Sequence, residues 1–146
     1  MGDKMKIGIA TDHRGFQLKQ KIIEKLENRY EIKDYGTYNT ESTDYPIYAF
    51  KLCEDMKNID FGILLCGTGI GMSIAANKVK NIRCAKVSTE EEAILSREHN
   101  NANVMALSTK LDLDEIIRLI DIFVKTEFSN EERHIKRNNM VDHYAD

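Results

Sequence analysis

The chain has 146 residues, 42% apolar and 31% charged, with a formal net charge of −3 at neutral pH. That length fits one domain, residues 1–146, of an ordinary soluble globular class, and the weakly acidic balance gives no reason to expect a nucleic-acid or membrane partner. Three cysteines, Cys53, Cys66 and Cys84, lack any Cys-x-x-Cys spacing, which argues against a disulfide framework or zinc ribbon and suits a reducing cytoplasm.

In chain order, Met1–Lys4 lacks the apolar stretch of a signal peptide and the downstream hydroxyl residue of a myristoylation site. No later run nears the ~20 apolar residues of a membrane span. Lys6–Thr11 reads as a short strand. Gly15–Asn28 places Phe16, Leu18, Ile22, Ile23 and Leu26 at helical spacing. Glu31–Tyr35 is a second strand and Asn39–Asp44 a polar loop. Pro46, the sole proline, suits the first turn of a helix running to about Lys57. Asp60–Cys66 is a near-continuous apolar run, as a strand buried on both faces requires. A helix over about Gly71–Val79 follows, then a strand at Arg83–Val87. Ser88 or Thr89 ahead of three glutamates opens a helix ending near His99-Asn100. Ala102–Leu107 is a fifth strand. Asp112 or Asp114 starts a helix to about Lys125, and a last helix spans about Glu131–Tyr144.

Strands alternating with helices predict a parallel sheet covered on both faces. Ligands of such sheets sit beyond the C-terminal ends of the strands. Thr11-Asp12-His13, Cys66–Gly71 and Leu107–Lys110 reach that edge. His99-Asn100 closes a helix instead, so one subunit places it at the opposite edge, where it could serve a neighbouring subunit.

Four groups of residues could carry chemistry. In Cys66-Gly67-Thr68-Gly69-Ile70-Gly71 the alternating glycines allow positive φ and close backbone approach. Successive N–H groups can converge there on an anionic oxygen, in a field that favours a thiolate. The same run also suits a tight turn around an inert cysteine. It is neither the dinucleotide fingerprint nor a Walker A loop. Asp12, His13 and Arg14 could bind a phosphate and a sugar hydroxyl, or simply cap a helix. His99 could act as acid or base, although His and Asn are also ordinary helix-end residues. Arg133 and Arg137 share one helix face and suit a phosphate, or belong to a solvated charged face.

Taken together, Ile9–Phe16, Asp34–Thr37, Thr43–Pro46, Gly62–Lys78, Ser96–Ala106 and Glu132–Arg137 make the chain resemble the type B ribose-5-phosphate isomerases, within the ribose/galactose-phosphate isomerase family. The resemblance implies a three-layer α/β/α Rossmann-like fold with a five-stranded parallel sheet and a C-terminal helix. It implies a homodimer, in some members a tetramer, with active sites at the interface. It implies interconversion of ribose 5-phosphate and ribulose 5-phosphate in the pentose phosphate pathway, with no cofactor and no metal.

By that resemblance Cys66 is the base, Gly67, Thr68, Gly69 and Gly71 form the anion hole, and His99 opens the sugar ring with Asn100 beside it. Asp12 and Tyr45 contact the sugar, while His13, Arg133 and Arg137 bind phosphate. Lys110 stands where many members carry arginine, and Ser108 where glycine is frequent. The alternatives are an isomerase of a hexose 6-phosphate of the allose or galactose type, and a non-catalytic nucleotide-binding module using the same turn.

Overall fold

The computed structural model describes residues 4–146. The expectations about a leader and an acyl anchor fall on a start, Met1–Asp3, that lies outside the described residues. Five strands form the sheet: β1 Lys6–Thr11, β2 Glu31–Asp34, β3 Phe61–Cys66, β4 Cys84–Lys86 and β5 Val104–Ser108. They are all parallel, in the order β2-β1-β3-β5-β4. The helices are α1 Phe16–Leu26, α2 Tyr45–Cys53, α3 Ile70–Ala76, α4 Glu90–Glu98, α5 Leu113–Lys125 and α6 Glu132–His143.

The period-two alternation of strand side chains sorts β3 between two cores. Ile63 and Leu65 join Ile9, Ile22, Met105, Ile120 and Phe123 on the side of α1 and α5. Leu64 and Cys66 join Ala10, Leu52, Met72, Ala76 and Ala106 on the side of α2 and α3. Ile63, Leu64 and Leu65 are fully buried, which explains why β3 reads as an unbroken apolar run. Cys66, the last residue of β3, therefore faces the α2–α3 layer.

Helix starts follow their caps. Thr89 and Glu92 form a reciprocal capping box at the head of α4. Pro46 sits in the first turn of α2 behind Asp44. The expected helix to Lys57 stops at Cys53, and a 3-10 turn follows at Met56–Asn58. There the Asp55 carboxylate accepts bonds from Tyr35, Lys33 and Asn58, which holds the chain out of helical continuation. A second 3-10 turn, His13–Gly15, precedes α1, so that helix begins one residue later than its apolar spacing suggests. The edge strand β4 is three residues long, although Val87 N–H still donates to Ala106 O. No helix among the described residues is long and apolar enough to cross a membrane.

Candidate active site

At the end of β3 the chain turns sharply through Gly67–Gly69 into α3. Gly69 has φ +79°, and a Cβ there would lie 3.1 Å from the Leu107 carbonyl carbon. Only glycine suits both the left-handed backbone and the contact. The turn brings Gly69 N–H onto Cys66 Sγ at 3.2 Å. Thr68 Oγ1 accepts the Ile70 N–H, which tightens the entry to α3. At Gly71 a Cβ would meet the Tyr45 ring at 2.6 Å, so the start of α2 lies directly against the turn.

The neighbouring strands pin this turn. Thr109 N–H donates to Cys66 O at 3.0 Å. Ser108 Oγ donates to Gly67 O at 2.8 Å and accepts the Lys110 N–H. From β1, Thr11 Oγ1 donates to Leu65 O. Asp12 is 7% exposed and accepts the Arg14 N–H. His13 Nδ1 accepts the Thr43 N–H at 3.2 Å, which leaves Nε2 as the nitrogen able to meet a ligand. Asp12, His13, Tyr45, Cys66, Gly67, Thr68, Gly69 and Gly71 thus gather at one edge of the sheet.

The remaining candidates lie elsewhere. Helices return antiparallel to the strands, so α4 delivers His99 and Asn100 to the edge where strands begin. Six residues of strand rise about 20 Å between the two edges. His99 stacks on His134, with ring centroids 4.4 Å apart and planes at 15°. Arg83 Nε donates to Asn100 O and its Nη2 to Asn101 O, while Nη1 reaches both carboxylate oxygens of Asp142. Arg133 and Arg137 are exposed on α6, and Arg133 Nη2 lies 3.4 Å from Glu131. Farther along α6, away from both arginines, opens a cavity of about 720 Å³ lined by Val79, Arg83, Cys84, Asn100, Asn138 and Asp142. One chain therefore holds two half-sets of the candidate residues, at opposite edges.

Burial sets two of the three thiols apart. Burial pushes the Cys53 thiol up to about 12 and raises that of Cys84 as well, so neither serves as a base near neutrality. Among the described residues, no three His, Cys, Asp or Glu side chains converge as a metal would require. Ser108 carries no local sequence signal of its role as a brace for the turn. His134, Asn138 and Asp142 are hidden among the charged residues of the last helix, although their four-residue spacing signals a shared face.

The family model described as Ribose/Galactose Isomerase matches residues 7–141. The probable ribose-5-phosphate isomerase B of Mycoplasma genitalium is 41% identical over 144 residues, covering 94% of each chain. The ribose-5-phosphate isomerase B of Escherichia coli K12 is 43% identical over 118 residues, 79% of each chain. Among solved structures, the Clostridium thermocellum ribose-5-phosphate isomerase B superposes with a TM-score of 0.92 at 44% identity, covering 96% of this chain and 97% of that one. The Mycoplasma genitalium ribose-5-phosphate isomerase B with bound ribulose 5-phosphate gives a TM-score of 0.90 at 39% identity, covering 98% and 97%. With a model matching nearly the whole chain and relatives this similar, the protein belongs to the ribose/galactose isomerase family.

Proposed function

We propose that the protein is an aldose–ketose isomerase that interconverts ribose 5-phosphate and ribulose 5-phosphate, with Cys66 as the base. The observation that carries this reading is the sulfur of Cys66 at the mouth of a glycine turn, with the Gly69 N–H directed at it. Isomerisation removes a proton from the carbon beside a carbonyl and returns it to the neighbouring carbon. The enediolate between these steps carries its negative charge on oxygen. Those peptide N–H groups of Gly67–Gly71 that Cys66 Sγ and Thr68 Oγ1 do not already engage are donors for that oxygen, and one base over both carbons suffices for both transfers. Nothing is oxidised or reduced overall, so the reaction calls for no redox cofactor.

The second half-set takes its place through a second copy of the chain. In this homodimer the partner subunit's His99 opens the furanose ring by moving a proton between the ring oxygen and the anomeric hydroxyl, with the partner subunit's Asn100 on the sugar. The partner subunit's Arg133 and the partner subunit's Arg137 join His13 on the phosphate. That remote charge holds the reacting carbons in register over Cys66. Exposed apolar side chains support such an arrangement: Ile47, Phe50, Ile70 and Ile74 border the Cys66 edge, and Met140 and Val141 lie on α6. Three unpaired cysteines suit the cytoplasm.

The test is turnover by the purified protein. Ribose 5-phosphate should be converted to ribulose 5-phosphate faster than allose 6-phosphate or galactose 6-phosphate is isomerised, and alkylation of Cys66 should stop it. A preference for either hexose phosphate would assign the protein to that branch of the family. Turnover that survives alkylation of Cys66 would remove the thiol from the chemistry.

A further inference from the structure

His134, Asn138 and Asp142 follow one another at intervals of four along α6, which lines them up as a single stripe. All three grip the same short segment at the end of α4. The His134 ring lies flat on the His99 ring. Asn138 Nδ2 donates to His99 O at 3.0 Å. Asp142 holds Arg83, which in turn binds Asn100 O and Asn101 O. Residue 99 is thus held at both ends, by its carbonyl and by its ring.

His134 is 8% exposed, and its Nε2 makes no hydrogen bond. Glu131 Oε2 comes within 3.3 Å of that nitrogen but out of line for a bond. A buried imidazole nitrogen that forgoes a bond costs stability, so it is the stacked face of the ring, not a polar partner, that engages its surroundings. Burial, then the neighbouring charges of His99 and Arg133, hold the His134 pKa below the usual imidazole range; Arg137 acts in the same direction and Glu131 against it. The ring that supports His99 is thus harder to protonate than a free imidazole.

We propose that His134 is a positioning residue for His99: by stacking, it fixes the plane of the His99 ring and so the direction in which its nitrogens meet the sugar. The proposal rests on the ring-opening reading of His99 given above. An acid–base group gains most of its effect from being aimed, and a misplacement near 1 Å costs up to about a hundredfold. Asn138 fixes the main chain beneath the ring, and His134 removes its remaining freedom of rotation.

The experiment separates ring opening from proton transfer at carbon. Intact wild-type, His134→Ala, His134→Phe and His99→Asn proteins are compared in two reactions. One is conversion of ribose 5-phosphate, which must first be opened. The other is exchange of a C1 hydrogen of ribulose 5-phosphate for solvent deuterium, followed by proton NMR, which starts from an open chain.

The expected result for His134→Ala is a loss of about tenfold or more in aldose conversion with the exchange rate kept within about twofold. His134→Phe should regain most of the conversion, because a flat ring is restored. Equal losses in both reactions, or no loss in either, would overturn the proposal. So would a selective loss that phenylalanine does not relieve. His99→Asn is the control: if it shows no selective loss of conversion, the ring-opening reading fails and the proposal with it. A selective loss there, with none in His134→Ala, overturns the proposal alone.

Discussion

The two edges of the sheet are built by different means. Where the strands end, the candidate site rests on main chain. Gly69 takes a positive φ, Ser108 and Thr109 tie the turn to β5, and Cys66 meets a peptide N–H. Where the strands begin, it rests on long side chains reaching between elements: Arg83 to Asp142, Asn138 to His99, and His134 stacked on His99. Main-chain geometry set by strand register is hard to deform and easy to read locally. Side-chain clamps tolerate change residue by residue and leave little local trace. Under the proposed two-chain reading, an enzyme split in this way would hold its charge-stabilising half rigid and take its substrate-handling half from a second copy.

The sharpest way to break this comparison is at the rigid edge. Cys66→Ala should lower turnover by about a thousandfold, within the span of a positioned general base. Stability should fall by only about 1 kcal/mol, since one small buried group is lost. A steady-state assay beside a thermal melt checks both, and a variant retaining a tenth of wild-type turnover would refute the thiol base.

The division into two half-sets is tested by mixing. Cys66→Ala and His99→Asn chains, unfolded together and refolded, should form half their dimers as hybrids with one intact site each. About a quarter of wild-type activity should then return, as a symmetric two-chain assembly requires. Activity no greater than the average of the two parents would mean that Cys66 and His99 never meet across an interface.

Gly69→Ala comes next in size. The strained left-handed backbone and the Leu107 contact should cost about 1–3 kcal/mol. The shifted Gly69 N–H should lower kcat by roughly a hundredfold, with KM little changed. A variant with wild-type kcat would show that this amide does not serve the site.

Much of the frame is legible because its signals are local. The apolar run of β3, the glutamates after Thr89 and the proline in α2 each act within a few residues, and their elements appear where they point. The glycine turn is legible for the same reason, since its spacing states the backbone it needs. That His99 lies away from Cys66 also follows from sequence, because a helix returning from a parallel strand ends at the other edge. The contacts around His99 are not legible. Arg83 and Asp142 stand 59 residues apart and Asn138 and His99 stand 39 apart, so no window of sequence contains both partners. Ser108 marks the boundary between the two cases. Against the family pattern it is a departure from glycine, and only the fold reveals that its hydroxyl braces Gly67. The shortfall of α2 is similar, because Asp55 is claimed by Lys33 and Tyr35 from β2 and the residue after it.

At the flexible edge, Arg137→Ala should raise KM by about ten- to a hundredfold, the worth of a charge-assisted hydrogen bond, and leave kcat nearly intact. A kcat loss without a KM change would move Arg137 from binding to chemistry.

The smallest expected effect concerns a region belonging to neither edge, and it guards the others against misreading. Hydrogen bonds from Tyr35, Lys33 and Asn58 hold the Asp55 carboxyl at about 2, below its ordinary value near 4. A folded-state pKa below the unfolded one means that the folded form binds fewer protons. The stabilisation is therefore complete above about pH 4 and disappears as pH falls toward 2. Denaturant midpoints should drop across that window in the wild type and drop less in Asp55→Asn, while both proteins keep the same pH–activity profile between pH 6 and 8. An acid loss of activity that follows the midpoint reflects unfolding from this corner of the fold. A loss that precedes it, and persists in Asp55→Asn, belongs to groups at the two edges.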